Sequence, residues 1–139
     1  MAAVVEERIT GMMQVYFLSV LMNAVAGLLL IVGVSNTGSV FSNKSFRLST
    51  GILTVLTGFL KLFIVAQPDI IIFGDLLPAA AGIAGGANIL IDYYRDYSSV
   101  EVNLSEFFTK LFVAGRKYVG IICCIVSLLH FLFPRMTIL

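Results

Sequence analysis

Four stretches of this chain are apolar on every helical face for about the 20 residues that a bilayer crossing requires. They run over about 12–33, 48–66, 69–93 and 116–134. Gln14, Ser19 and Asn23 interrupt the first, Lys61 the second, Asp69, Asp75 and Pro78 the third, and His130 the fourth. A helix apolar all round needs lipid or a large protein about it, and 139 residues cannot enclose four such helices. The pattern predicts an all-α integral membrane protein, one membrane domain over 1–139 with four transmembrane helices. The leader Met1–Thr10 carries Glu6, Glu7 and Arg8 and lacks a basic n-region. The apolar run behind it exceeds the roughly 7–15 residues of a signal-peptide core. It reads as a retained helix that continues outward through the polar leader.

The connections differ. Between the first two spans, SNTGSVFSNKSFR is a polar loop. Before the fourth span, Leu104, Phe107, Phe108, Leu111 and Phe112 recur at i, i+3, i+4, i+7 and i+8, one helical face. This predicts a short interfacial amphipathic helix over about 104–113, its phenylalanines among acyl chains. Asn103 and Glu106 stand at capping-box spacing at its start.

The chain also resembles itself. Arg47–Val65 lies over Arg116–Pro134, matching Arg47/Arg116, Gly51/Gly120, Ile52/Ile121 and Leu60/Leu129 and setting Lys61 over His130. Tyr16–Gly33 lies over Gly74–Ile91, matching Leu18/Leu76, Ala26/Ala84, Gly27/Gly85 and Ile31/Ile89. Two spans per unit make the copies enter the membrane in the same direction. The expected fold is therefore two tandem parallel hairpins about an axis along the membrane normal.

Charge sets the orientation. Lys44, Arg47, Arg95, Lys110, Arg116 and Lys117 lie with the 1–2 and 3–4 connections, against Arg8 and Arg135 on the other side. The positive-inside rule puts both termini outside, in a bacterial inner membrane or an organelle membrane. Tyr93, Tyr94, Tyr97 and Tyr118 flank the basic side as interfacial anchors. Composition agrees: 59% hydrophobic and 12% charged residues, with a mean hydropathy of +1.01, stand far from soluble averages. A net charge of +1 gives no field for nucleic acid.

Catalytic parts are scarce. The sequence has one His, two adjacent cysteines, Cys123 and Cys124, and no Trp. It offers no nucleophile–base set, metal spacing or phosphate loop, so neither enzyme activity nor a cofactor or metal is expected. The ionisable groups nearest the membrane interior are Lys61, Asp75 and His130, a possible intramembrane polar cluster suited to proton transfer. Asp75 also fits as an N-cap that puts Pro78 at the third helical position, and Lys61 as a snorkelling side chain. Ala81, Gly82, Gly85 and Gly86 form a small-residue packing face. Thr50, Thr54 and Thr57 share a helix face and are expected to bond back to carbonyls. Asn23 and Asn88 read as interhelical hydrogen-bonding residues. The leading expectation is a non-enzymatic subunit or scaffold of a larger membrane assembly, working through helix contacts with other membrane subunits or with itself. The alternative is a small proton or ion conduit.

Overall fold

The structure, a computed structural model, describes residues 2–33, 40–63, 76–99 and 105–132. Helix α1 covers Ala2–Val32, a 3₁₀ turn covers Val40–Ser42, α2 covers Lys44–Phe63 and α3 covers Leu76–Tyr97. A short α4, Glu106–Phe108, leads through a π-helical turn, Thr109–Ala114, into α5, Arg116–Leu132. The described residues contain no strand. Met13–Val32, α2 and α3 are each long and apolar enough to cross a membrane. The helical segments before and after Gly115, bent by 61°, would together make a fourth.

Local signals set the boundaries. α1 continues through the polar leader and stops at Gly33, whose φ of 68° is a left-handed conformation open to glycine at no steric cost. The Gly33 N–H closes the last turn on the Leu29 carbonyl at 3.0 Å. At the start of α2, Asn43 Oδ1 accepts the Ser45 N–H at 3.0 Å, an N-cap bond. The described α3 begins at Leu76, which puts Pro78 in its first turn, where its missing N–H is no loss. Residues 69–75, Asp75 among them, lie outside the described residues, and so does Asn103. α4 starts from Ser105 with no side-chain cap bond.

The most extensive interfaces join α2 to α3 and α1 to α5. Each crossing is a contact of backbones. A Cβ on Gly27 would stand 2.7 Å from the Gly120 carbonyl oxygen, and one on Gly120 would stand 2.9 Å from the Gly27 carbonyl oxygen. Across the bundle, a Cβ on Gly86 would stand 2.9 Å from the Gly51 carbonyl oxygen, and one on Gly58 2.9 Å from the Ala79 carbonyl oxygen. Such approach sets main chain against main chain, a contact that small residues allow between helices.

These contacts repeat. Ile31 lies against Gly120 and Ile89 against Gly51, pairs that the overlay of the two halves makes equivalent. Between the halves, Gly85 adjoins Ala26 and Gly82 adjoins Asn23, so α1 and α3 lie side by side within a residue of the overlay's register. Each half therefore contributes one central helix, α1 or α3. The outer helix, α2 or α5, leans mainly on the opposite half.

A Cβ on Gly27 or Gly86 pushes on backbone that cannot yield locally. Gly27→Ala and Gly86→Ala are expected to cost about 1–3 kcal/mol each. Gly82→Ala, whose Cβ would meet nothing nearer than 3.2 Å, should cost less. Unfolding of the three variants in mixed micelles gives the order.

Candidate functional site

The seam of α2 is polar. Arg47, Thr50, Thr54, Thr57 and Lys61 follow one another at three- and four-residue steps, and none is more than 4% exposed. The opposite face of the same helix carries Ile52, Leu53, Leu56, Phe59 and Leu60, all exposed. The Thr54 hydroxyl donates to the Thr50 carbonyl at 2.6 Å, and the Thr57 hydroxyl to the Leu53 carbonyl at 2.7 Å and the Thr54 carbonyl at 3.0 Å. Their protons are held by the helix, as expected, and their oxygens remain acceptors.

One end of the seam is an aromatic-cation cluster. Lys61 Nζ stands 5.3 Å from the centre of the Tyr16 ring, a cation–π distance. The His130 ring lies 4.6 Å from the same ring, and the Tyr16 hydroxyl donates to the His130 carbonyl. Lys61 is buried and His130 half-buried. Two of the three predicted ionisable residues thus meet on a tyrosine that sequence reasoning passed over; Asp75 lies outside the described residues.

The other end, roughly 21 Å away at about 1.5 Å per residue of helix, is an ion-pair cluster. Arg47 Nη1 pairs with Asp96 at 2.7 Å, the arginine wholly buried and the aspartate half-exposed. Arg116 Nη1 pairs with Asp92 at 3.0 Å, and Arg116 Nε donates to the Leu30 carbonyl at 3.2 Å, capping the end of α1. In the sequence both arginines stand out only as orienting charges and as a matched pair of the internal overlay, and neither aspartate stands out.

Polar atoms between the ends are incompletely matched. Asn23 Nδ2 donates to the Pro78 carbonyl at 3.0 Å, tying α1 to α3. Its Oδ1 has no partner among the described residues, and the same holds for both amide atoms of Asn88 and for Nε and Nη2 of Arg47. A buried polar atom left so costs about 1–3 kcal/mol.

The second half of the repeat has lost this polarity. The overlay sets Thr50, Thr54 and Thr57 over Val119, Cys123 and Val126. Cys123 and Val126 pack with Ala81 and Val119 in an apolar cluster. Its polar groups serve packing: the Cys123 thiol points at the Ala81 carbonyl at 3.3 Å, and the Ser127 hydroxyl donates to the Val20 carbonyl at 2.7 Å.

The small-residue face is used inside the bundle. Ala81, Gly82, Gly85 and Gly86 are all buried. Gly85 meets Cys123 and Ala26, Gly86 meets Gly51 and Val55, and Gly82 meets Asn23 and Thr54. In the 104–113 segment, Phe107 and Phe108 are exposed and Phe108 stacks on Phe112 with centroids 5.8 Å apart. Leu104 and the Leu111 side chain lie outside the described residues. Beyond Phe108 the expected α-helix gives way to the wider π turn, which shifts the register of the apolar face. No group of three His, Cys, Asp or Glu side chains among the described residues comes together as a metal site.

The sequence model of a family of unestablished function matches residues 12–130, from the first apolar stretch to His130. No curated protein and no solved structure matches the chain.

Arg116→Leu would leave the Asp92 carboxylate, 8% exposed, without its ion-pair partner. A loss of about 3 kcal/mol is expected, most of it regained in the Arg116→Leu/Asp92→Leu double variant. A double-mutant cycle on unfolding free energy tests this, and additive losses would contradict it.

Proposed function

The chain belongs to the family whose sequence model covers residues 12–130, and for it we propose an integral membrane protein whose buried polar seam conducts a proton or small ion. The four apolar segments cross the bilayer as two tandem parallel hairpins, with 104–114 in the headgroup layer. The basic connections face the cytoplasm or organelle matrix, and both termini face outside. An inverted distribution of side chains supports this. Phe17, Leu21, Leu56, Ile122, Leu128 and Phe131 are each more than half exposed, while Asn23, Arg47, Lys61 and Asn88 are shut inside. Water as solvent would penalise both halves of that arrangement. Lipid favours the outer half, and function accounts for the inner one.

The observation that carries the conduit reading is the run Arg47–Thr50–Thr54–Thr57–Lys61, buried along its whole length. It reaches from the ion-pair cluster to the Tyr16–Lys61–His130 cluster, so titratable groups stand at both ends. Threonine oxygens, Asn23 and Asn88 supply stations between them.

A second reading, a subunit of a larger membrane assembly, draws on the outside of α1. There Met13, Gln14, Phe17, Leu18 and Leu21 line an open apolar groove of about 460 Å³. It cannot draw on Ala81, Gly82, Gly85 and Gly86, which are occupied within the bundle.

Reconstitution in sealed liposomes with a pH-sensitive dye and imposed ion gradients tests the conduit. Flux is expected in the wild type. Thr54→Val, which keeps shape and removes the oxygen, and Lys61→Met should each lower it about tenfold or more, equivalent to about 1.4 kcal/mol on the barrier. Ser49→Ala, on the exposed face, should leave it unchanged. A wild type that passes nothing and co-purifies with other chains in mild detergent would replace the conduit by the subunit. Impermeant labelling of single cysteines at the two ends of the chain should reach both from the same side of the vesicle.

A further inference from the structure

We propose that the ion this seam accepts is an oxyanion, gripped by the inner edge of the Arg47 guanidinium. The inference rests on the conduit reading and adds to it the sign of the ion and a binding site.

The geometry of Arg47 carries it. Nη1 is taken by Asp96. The other two nitrogens, Nε and Nη2, have no partner among the described residues although the residue is wholly buried. Those two form the side-on fork of a guanidinium, two parallel N–H groups at the spacing of two oxygens on one carboxylate or phosphate. A lysine would satisfy Asp96 equally well and leave no fork behind it. The nearby aspartate does not fill the role, since Asp92 pairs with Arg116. On the face that carries Asp92, one turn back along α3, Asn88 keeps its own amide donor unpartnered and buried, a second group able to bind an oxygen.

The charges agree in sign. Both buried ends of the seam are cationic, Arg47 at one and Lys61 at the other, and positive rings or ends are how pores select anions. A cation placed between them would be repelled from both directions. A second copy of the fork is lacking: Arg116, the matching arginine, spends its Nε on the Leu30 carbonyl.

A free oxyanion and the phosphate of an anionic lipid present the same oxygens to this fork, and the test separates them. Purified full-length protein is placed in phosphatidylcholine nanodiscs and titrated with inorganic phosphate against chloride at constant ionic strength, with thermal unfolding as the readout. In a second arm phosphatidylglycerol replaces part of the phosphatidylcholine and no phosphate is added. Saturable stabilisation in the first arm identifies a free oxyanion as the ligand, and stabilisation confined to the second identifies the lipid headgroup. Arg47→Lys, which keeps the charge and the Asp96 partner, should weaken the effect about tenfold or more, whereas the exposed Lys117→Gln should not. Should Arg47→Lys fail to fold, the Arg47→Gln/Asp96→Asn pair, which removes both charges together, replaces it. Phosphate indistinguishable from chloride with no response to phosphatidylglycerol, or full binding by the Arg47 variant, overturns the proposal. Because binding is read at equilibrium without a gradient, flux without oxyanion binding sinks this site alone. Oxyanion binding without flux sinks the conduit and leaves the site.

Discussion

Backbone contact at the two glycine crossings, Gly27 on Gly120 and Gly86 on Gly51, governs where everything else in this molecule can be. Apolar side chains around a helix give it no preference for one neighbour over another in an apolar solvent. Close approach at small residues does, because it brings whole stretches of main chain into dispersion contact and admits short interhelical hydrogen bonds. Once α2 is pressed on α3 and α5 on α1, the seams are fixed: Arg47 meets Asp96, Arg116 meets Asp92, and Lys61 and His130 both arrive at Tyr16. The polar contacts are thus positioned by the glycines rather than the reverse.

Polarity inside and hydrocarbon outside is the second organising fact. The described apolar interior is small, with Ala26, Leu29, Leu30 and Ile89 in one cluster and Ala81, Cys123 and Val126 in another. Buried ion pairs are weak contributors to stability, since removing charges from water offsets most of their attraction. Unmatched amide and guanidinium atoms work against stability outright.

Much of the fold was legible from hydropathy. The apolar runs that become the long helices and the continuation of α1 through the polar leader follow from residue type and spacing. Lys61 and His130, which the overlay sets on one another, both adjoin the Tyr16 ring. What escaped was decided by direction rather than by composition. Asp92 and Asp96 look like ordinary interfacial charges beside Tyr93, Tyr94 and Tyr97, and nothing local reveals that two arginines more than twenty residues away converge on them. Tyr16, the one tyrosine away from the basic side, carried a signal in that position alone. The Ala/Gly run of α3 announced intimate contact with a helix without saying whose. The change from α to π winding after Phe108 has no counterpart in a periodicity count that assumes α geometry. The polar seam itself was readable: a non-apolar residue at every third or fourth position of an otherwise apolar helix, of which only the three threonines were taken up.

The spacing of that seam carries one more consequence. Its steps of three and four average 3.5 residues, slightly less than the turn of a straight α-helix, so over two heptads a straight α2 would rotate it away by about 40°. All five positions nevertheless stay covered, so the buried face of α2 is broad enough to take in that drift. The line of hydroxyl and charged groups is accordingly a shallow spiral, and anything passing along it turns as it advances.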